Sequence, residues 1–384
     1  MVYHKQIPHS IGWHHILGIL LSFIRKNVVL CVAIVLAVVT SCIVPPDTKY
    51  VDYFDWKTLT CLFCTLAVVC ALKNIKFFTI LARKIVDCTG NLRIATVSLV
   101  YITFLGSMLI SNDMALLTFL PLGFFVLTST GKERYMAFVF IMQNIAANLG
   151  GMLTPFGNPQ NLYLYSRFNI PTGEFMSIML LPFAISVALI TLCCFVFVKS
   201  EPLVLKSEAS VPDKKKSALY AVLFALAIAI VFRGIPYWVG LIVIPPVLFF
   251  IDRKALKMVD YPLLLTFVAF FIFSGNVSRI PEVRSVFELL LGKSTLLFSV
   301  LSCQVISNVP SAILLSNFTD NYPALLVGVN IGGTGTLIAS LASLITFREY
   351  SKHNPSKTGS YILKFSAFNF GFLIILTAVM FFVV

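Results

Sequence analysis

The stretch Gly150-Gly151-Met152-Leu153-Thr154-Pro155-Phe156-Gly157-Asn158-Pro159-Gln160-Asn161 interrupts an apolar segment, 135–162, that is long enough to cross a bilayer. Its three glycines, two prolines and polar side chains disfavour a continuous α-helix. The stretch therefore predicts a broken transmembrane helix. Lipid offers no hydrogen bonds to the freed backbone groups, so protein or a bound solute must supply them. The alternative is a kinked helix packed through small residues, but the run is too polar for packing alone.

Composition places the whole chain in a membrane. Of the 384 residues, 58% are hydrophobic and 12% are charged, and the mean hydropathy is +0.93. A soluble protein of this size cannot hide so much apolar surface. This excludes a soluble enzyme, a nucleic-acid binder and a disordered chain, and makes the lipid bilayer the expected partner. The five histidines lie in terminal or loop segments, so we predict no catalytic residues and no enzyme.

The apolar runs predict an all-α polytopic membrane protein with nine crossings. They lie near 27–46, 56–72, 135–162, 174–198, 217–234, 236–251, 260–276, 324–346 and 360–384. Placing residues 1–26 in the cytoplasm puts 22 of the 29 Lys and Arg residues inside, as the positive-inside rule requires. We therefore expect a cytoplasmic N-terminus and an outside C-terminus, in the plasma membrane of a bacterial cell. The net charge of +13 reflects this bias, and no nucleic acid is expected.

Two further apolar segments, 92–128 and 294–318, predict re-entrant helical hairpins with the tips Ser111-Asn112-Asp113 and Ser307-Asn308. A segment of mixed polarity, 73–91 or 277–291, precedes each hairpin and suits a helix at the membrane interface. Each hairpin is followed by a Gly-rich break, at Asn148-Leu149-Gly150-Gly151 and at Asn330-Ile331-Gly332-Gly333-Thr334-Gly335-Thr336.

The pattern predicts two repeats of opposite orientation. The N-terminal repeat is 1–198, with a hairpin that opens to the cytoplasm. A cytoplasmic linker, 199–216, precedes the C-terminal repeat 217–384, whose hairpin opens outward and whose broken helix is 324–346. Inverted repeats are the common build of secondary transporters.

A broken helix offers free N–H groups, which suit carboxylates and oxyanions, and free carbonyls, which suit small cations. The candidate binding residues are Ser111, Asn112, Asp113, Asn148, Gly150, Gly151, Thr154, Pro155, Gly157, Asn158, Asn161, Ser307, Asn308, Pro310, Asn330, Gly332, Gly333, Thr334, Gly335 and Thr336. Candidate Na⁺ ligands are Ser111, Asn112, Asp113, Ser307 and Asn308. For each Ser-Asn pair the alternative is a plain helix cap. No Lys or Arg is evident beside the site, so anion binding would rest on dipoles, polar side chains and bound cations.

Asp113 is the ionisable residue of the first tip, and Val309 takes its place in the second. Charged groups at membrane depth are costly and usually functional. We expect Asp113 to bind a coupling cation or to exchange a proton. The alternative is an N-cap for the arm 114–128. Pro310 fits the first turn of the second outgoing arm, where its missing N–H costs nothing.

The run Ser111-Asn112-Asp113-Met114-Ala115-Leu116-Leu117, the stretch 154–162, Asn308-Val309-Pro310 and 332–336 resemble the ion transporter superfamily. They are most similar to its citrate-transporter-like and anion permease branch, which includes divalent anion/sodium symporters and arsenite permeases. The resemblance implies a homodimer with scaffold and transport domains, the latter moving as an elevator. In the dicarboxylate branch the tips read Ser-Asn-Thr and hold Na⁺ and carboxylate. Here Asp113 and Val309 stand in the third positions, and the Asn-Asp pair is closer to arsenite permeases and sodium/proton antiporters.

We therefore predict a secondary active transporter of a small anion, citrate or another carboxylate or an oxyanion. Its coupling ion is Na⁺ or H⁺, and no other cofactor is expected. Two alternatives remain. One is a Na⁺/H⁺ antiporter that uses Asp113, and the other is an arsenite or metalloid efflux permease.

Overall fold

The computed structural model describes residues 24, 27–80, 84, 89–203 and 213–384. Within these ranges the chain is helical and contains no β-strand beyond one isolated bridge. The main helices are α1 (Val28–Ile43), α2 (Trp56–Asn74), α3 (Leu92–Ile110), α4 (Asn112–Ser129), α5 (Met136–Gly150), α6 (Pro159–Arg167), α7 (Thr172–Phe197), α8 (Lys214–Val231), α9 (Tyr237–Ile251), α10 (Tyr261–Ser278), α11 (Pro281–Lys293), α12 (Thr295–Ile306), α13 (Asn308–Leu315), α14 (Tyr322–Ile331), α15 (Leu341–His353) and α16 (Thr358–Phe381).

The helices have the length and surface of membrane spans. Seven segments of the described chain are apolar enough to cross a bilayer, and the bent pair α11 and α12 makes an eighth if it is one span. The most apolar stretches of α7 and α16 are only 22% and 28% buried within the protein. Such apolar exteriors are stable in lipid and not in water. The chain is therefore a polytopic integral membrane protein.

The helices pack in two groups. The first group contains α1, α2, α8, α9 and α10, and the second contains α3 to α7 and α12 to α16. The groups meet where α10 packs on α13 and where α2 packs on α6. This boundary positions the site, because the hairpin tips and both helix breaks lie in the second group.

Both predicted hairpins turn at a single serine. Ser111 joins α3 to α4 with φ +70° and ψ 156°, and Ser307 joins α12 to α13 with φ +74° and ψ 160°. This region of backbone space is nearly confined to glycine, and a serine there costs about 1–3 kcal/mol. The surrounding structure must hold each strained turn in place, and such turns concentrate at binding sites.

Both predicted helix breaks are present. Helix α5 ends at Gly150, a 3₁₀ turn covers Gly151–Leu153, and α6 begins only at Pro159. Proline suits this first helical position because its missing N–H would have no partner there. The second break covers 332–340, and α15 starts after Ser340, whose hydroxyl accepts the N–H of Ala342.

The predicted helix ends were wrong in two places. Helix α15 continues to His353, where the sequence predicted a span ending at 346 and a loop over 347–359. Helix α6 runs to Arg167 rather than 162. In α15 the polar helix formers Arg348, Glu349 and Lys352 continue the helix beyond the apolar run, so hydropathy does not mark its end. Residues 1–23, 25–26, 81–83, 85–88 and 204–212 lie outside the described residues. They include most of the predicted cytoplasmic N-terminal stretch and parts of the segment 73–91 and of the linker.

Candidate functional site

A cavity of about 20 Å³ lies between the two hairpin tips. Its walls come from both hairpins, both broken helices and two helices of the first group, through Val29, Asn112, Asp113, Pro159, Gln160, Leu263, Thr266, Ser307, Asn308, Val309, Pro310, Ser340 and Leu341. This volume holds one water molecule or one small ion. The hairpin tips, predicted separately from the sequence, thus meet at one place.

Four helices begin at this cavity. Asn112, Pro159, Asn308 and Leu341 are the first residues of α4, α6, α13 and α15, and all four line it. Each helix N-terminus carries free N–H groups and the equivalent of about half a positive charge. Each of the four ends therefore contributes positive partial charge to the cavity, whose wall contains no lysine or arginine but does contain the Asp113 carboxylate.

Asparagine side chains join the two halves of the chain around the cavity. Asn148 Oδ1 accepts hydrogen bonds from Asn112 Nδ2 at 3.3 Å and from Ser340 Oγ at 2.8 Å. Asn330 Nδ2 donates to Asn161 Oδ1 at 2.6 Å, and Asn330 Oδ1 accepts from Asn158 Nδ2 at 3.3 Å. Each of these residues except Ser340 was predicted as a site residue, and the structure brings them together.

Some of the predicted site residues have backbone groups whose hydrogen bonds are made by another part of the protein and not by a solute. The amide of Gln304 donates to the carbonyls of Gly332 and Thr334, and its oxygen accepts the N–H of Thr336 at 2.9 Å. Gly335 has φ +111° and lies against the same Gln304 side chain. The run 334–336 therefore does not line the small cavity.

Side chains of the protein also hydrogen-bond to the free backbone carbonyls of the first break. Asn161 Nδ2 lies within 3.3 Å of the carbonyls of Gly151, Met152 and Thr154. The Thr154 hydroxyl donates to Met108 O at 2.9 Å. The other predicted residues of the breaks are buried but do not line the small cavity. They are Gly150, Pro155, Gly157 and Gly332.

Several polar atoms at the site have no partner in the described part of the protein. Buried and unpaired are Asp113 Oδ1, Asn158 Oδ1, Gln160 Oε1 and Asn148 Nδ2. An unpaired buried polar atom costs free energy unless a ligand completes it. The described residues hold no group of three or more His, Cys, Asp or Glu that could bind a metal ion. Carboxylate and amide oxygens are the ligand types that hard cations prefer in proteins.

Asp113 is the second residue of α4, so its alternative interpretation as the N-cap was wrong. Neither Ser111 nor Ser307 caps with its side chain. In both tips the asparagine oxygen accepts the N–H of the following residue, Asp113 or Val309, at 2.9 Å. Pro310 lies in the first turn of α13, as predicted.

Gly333 allows the second tip to approach the break. A Cβ at Gly333 would lie 3.0 Å from Asn308 Nδ2 and 3.8 Å from Asn148 Oδ1. A side chain there would press on Asn308 and would lie in ordinary van der Waals contact with Asn148. Gly151 is tighter, because a Cβ would overlap Asn158 Oδ1 and lie 2.9 Å from Gly157 O.

A larger cavity of about 210 Å³, here called the vestibule, continues from the small one. The two share the lining residues Val29, Asp113, Pro159, Leu263, Thr266 and Leu341. The vestibule opens between the N-terminal ends of α1 and α10. Its walls are Asn27, Val28, Val29, Leu30, Leu66, Ser111, Asp113, Met114, Leu117, Pro159, Asp260, Pro262, Leu263, Thr266, Leu341, Leu344, Ile345 and Arg348. The sequence analysis found no Lys or Arg beside the site, but Arg348 lines this wall.

A third cavity of about 400 Å³ opens at the opposite end of α10, near Ser278 and Arg167. It shares no lining residue with the small cavity. Tyr163 and Phe271 line this third cavity with ring centroids 5.5 Å apart, and the Tyr163 hydroxyl is 2.8 Å from Ser316 Oγ. The small cavity therefore shares walls with the vestibule and none with the third cavity.

Sequence reasoning missed Ser340, Gln160, Gln304 and Thr266. Gln160 stands within the quoted Asn-rich stretch, and Gln304 lies one helical turn before Ser307. Their closeness in sequence to the first break and to the second tip could have indicated that both belong to the site. Thr266 gave none, because it is one small polar residue in an ordinary apolar helix.

A polytopic helical protein whose two hairpins and two broken helices meet around one internal cavity has the build of the membrane transporter class. Residues 16–328 match the citrate transporter family, CitMHS. The chain is 34% identical over 296 residues to the uncharacterized transporter MJ0456 of Methanocaldococcus jannaschii, covering 77% of this chain and 81% of that protein. It is 30% identical over 307 residues to the inner membrane protein YbiR of Escherichia coli, covering 77% and 80%. The chain belongs to the citrate transporter family, which confirms the resemblance stated from its motifs.

Proposed function

We propose that the protein is a secondary active transporter of a small anion, citrate or another carboxylate or an oxyanion, coupled to Na⁺ or H⁺. The observation that carries the proposal is the meeting of four helix N-termini at one cavity, through Asn112, Pro159, Asn308 and Leu341. Their summed dipoles favour an anionic group. The family match supports the same function.

The coupling cation binds beside the anion. Asp113 supplies a carboxylate, and Gln160, which lines the same small cavity, supplies a neutral amide oxygen without a protein partner. A cation here and an anion at the helix N-termini attract each other, so each raises the affinity for the other by the same factor. The cation is Na⁺ held by these oxygens or a proton on Asp113.

Transport requires the site to open alternately at the two ends of α10. The vestibule borders segments that the Lys and Arg distribution assigns to the cytoplasm, because Arg348 lines it and Asn27 directly follows the stretch 1–26. The N-terminus then lies inside and the C-terminus outside, in a bacterial plasma membrane. The matching serine turns of the two tips support an inverted repeat of 1–198 and 217–384 around the linker 199–216. In this proposal the second helix group moves along the first as an elevator, within a homodimer.

The test is uptake of labelled citrate by the purified protein in proteoliposomes. We expect citrate to accumulate when a Na⁺ or proton gradient is imposed, and the accumulation to stop when both gradients are collapsed. Empty liposomes set the background. Absence of citrate, dicarboxylate and oxyanion flux under every gradient would contradict the proposal.

A second candidate is a Na⁺/H⁺ antiporter. One specific observation favours it: Asp113 Oδ1 is buried without a partner, as expected of a carboxylate that exchanges Na⁺ for H⁺. Sodium flux driven by a pH gradient in the absence of any organic anion would establish this function. Sodium flux that strictly requires citrate would instead establish symport.

A further inference from the structure

Arg348 stands apart from the other basic residues because it lines a cavity that reaches the site. It is the one Lys or Arg among the described residues that line the vestibule. The ion pairs of the described chain do not include it. The neighbouring Glu349 is engaged with His353 at 3.1 Å. The guanidinium of Arg348 therefore has donors to offer a ligand.

Helix α15 aims this side chain at the site. The helix starts at the small cavity with Leu341, and the same face continues through Leu344 and Ile345 to Arg348. Seven residues of helix place the Arg348 backbone about 10 Å from that start. Helical side chains tilt toward the N-terminus, so the long arginine extends back toward the hairpin tips.

The register of α15 is fixed by buried hydrogen bonds. Asn144 Nδ2 of α5 donates to Ser343 Oγ at 3.3 Å, and Thr346 Oγ1 donates to Asn144 Oδ1 at 3.4 Å. Ser343 and Thr346 are completely buried on the face opposite the vestibule. Rotation of α15 would break these bonds, so Arg348 remains on the vestibule wall.

The small cavity cannot hold a whole di- or tricarboxylate. Its volume of about 20 Å³ admits one small group. The remaining carboxylates of such a solute must extend into the vestibule of about 210 Å³. There the arginine fork matches carboxylate geometry and binds it through two parallel hydrogen bonds.

We propose that Arg348 determines specificity for solutes with more than one carboxylate, binding the carboxylate that lies in the vestibule. This inference rests on the proposed function. The vestibule also contains the carboxylates of Asp113 and Asp260, so with both ionised its lining has one more negative than positive charge. Neutralisation of Asp113 by Na⁺ or a proton removes this excess of negative charge and so reduces the repulsion of a polyanion, which links Arg348 to ion coupling.

The test is calorimetric titration of the purified protein with citrate and with acetate, which has one carboxylate, in saturating Na⁺. For Arg348→Gln we expect citrate to bind about tenfold more weakly or worse, the loss of one charged hydrogen-bonding partner. Acetate affinity should stay unchanged. Arg348→Lys keeps the positive charge but lacks the two-pronged guanidinium. Its citrate affinity should lie between those of the wild type and Arg348→Gln.

The matched control is Arg253→Gln. Arg253 is an exposed arginine that lies over the Phe249 ring, 4.2 Å from its centroid, and outside the vestibule. We expect it to bind citrate as wild type does. An Arg348→Gln protein with the wild-type ratio of citrate to acetate affinity would overturn the inference. This ratio does not depend on how much of a variant is folded. A wild-type protein that binds oxyanions but no carboxylate would overturn the inference alone, and one that binds neither would overturn the proposed function with it.

Discussion

The two hairpin tips share a backbone and differ in charge. Ser111 and Ser307 adopt nearly the same strained conformation, with φ +70° and +74°. In each tip the asparagine oxygen accepts the following N–H at 2.9 Å. The next side chain is Asp113 in the first tip and Val309 in the second. The same geometry therefore presents a carboxylate at one tip and an apolar group at the other.

Their anchoring differs as well. The second tip is bonded to its own break, since Asn308 N and Ser307 Oγ both donate to Ala339 O, at 2.9 and 3.2 Å. The first tip contacts its break through Asn112 and Asn148. We infer that the second tip is held firmly against its own break, whereas the first tip carries the charge that responds to the coupling ion.

The largest effect is expected from Asp113→Asn. It makes the first tip neutral like the second and removes the charge that binds the cation. We expect ion-driven uptake to fall by about tenfold or more and to lose its dependence on Na⁺ and pH. The melting temperature should not fall, because the lost oxygen has no protein partner. Uptake in proteoliposomes across a Na⁺ and pH series measures this.

The control for this variant is Asp320→Asn, an exposed carboxylate beyond the second hairpin. It should transport like wild type. Should Asp113→Asn retain the full Na⁺ and pH dependence, the charge difference between the tips has no role in coupling.

The two glycines beside the site should rank in a definite order. Gly151→Ala forces a Cβ against backbone and Asn158, and overpacking of this kind costs about 1–3 kcal/mol of unfolding free energy. Gly333→Ala meets Asn308 Nδ2 at 3.0 Å, and this side-chain amide can move aside. We expect it to weaken solute binding while lowering the melting temperature less. Thermal unfolding with and without citrate separates the two effects; the reverse order of melting temperatures would be inconsistent with the geometry.

Replacing the tip asparagines tests what the tips share. Asn112→Ala and Asn308→Ala each remove the acceptor for one backbone N–H, at a cost of about 1 kcal/mol. We expect a loss of stability in both, measured by thermal unfolding, and a larger loss in Asn112→Ala because Asn112 also donates to Asn148 Oδ1. A loss confined to one variant would show that the two asparagine-to-backbone hydrogen bonds are not equivalent.

The smallest effect concerns the base of the first hairpin. Glu201 pairs with Lys132 at 2.6 Å and with Arg134 in the loop after α4. The hydrogen bond from Lys132, with smaller effects of Tyr135 and Arg134, lowers the pKa of Glu201. Its stabilisation is therefore present at neutral pH and is lost as the pH falls through that lowered pKa. Glu201→Gln should melt slightly lower at pH 7 and like wild type in acid, as melting curves at the two pH values would reveal.

Much of this architecture was predictable from the sequence. The Gly- and Pro-rich breaks at 150–161 and 332–336 and the polar tips at 111 and 307 each stand within an apolar run, where an interruption has few other causes. Hydropathy and helix-breaking residues locate these features because both act locally along the chain.

The remaining parts depend on contacts between distant segments. Arg348 was counted as a cytoplasmic residue, since nothing local signals that α15 continues to His353 and faces the vestibule. Likewise the N–H of Thr336 donates to the side chain of Gln304 and not to a solute. Such pairings follow from packing of the two halves, which no single-segment pattern reveals.

The most direct test of the account is labelling of single cysteines at Ser111 and Ser307, in a protein with its native cysteines replaced, by a membrane-impermeant thiol reagent applied from each side. We predict that citrate with Na⁺ protects both positions, because both tips face the same bound solute. Full modification of both from one face of the membrane, unaffected by solute, would place the tips in bulk water and contradict the central claim.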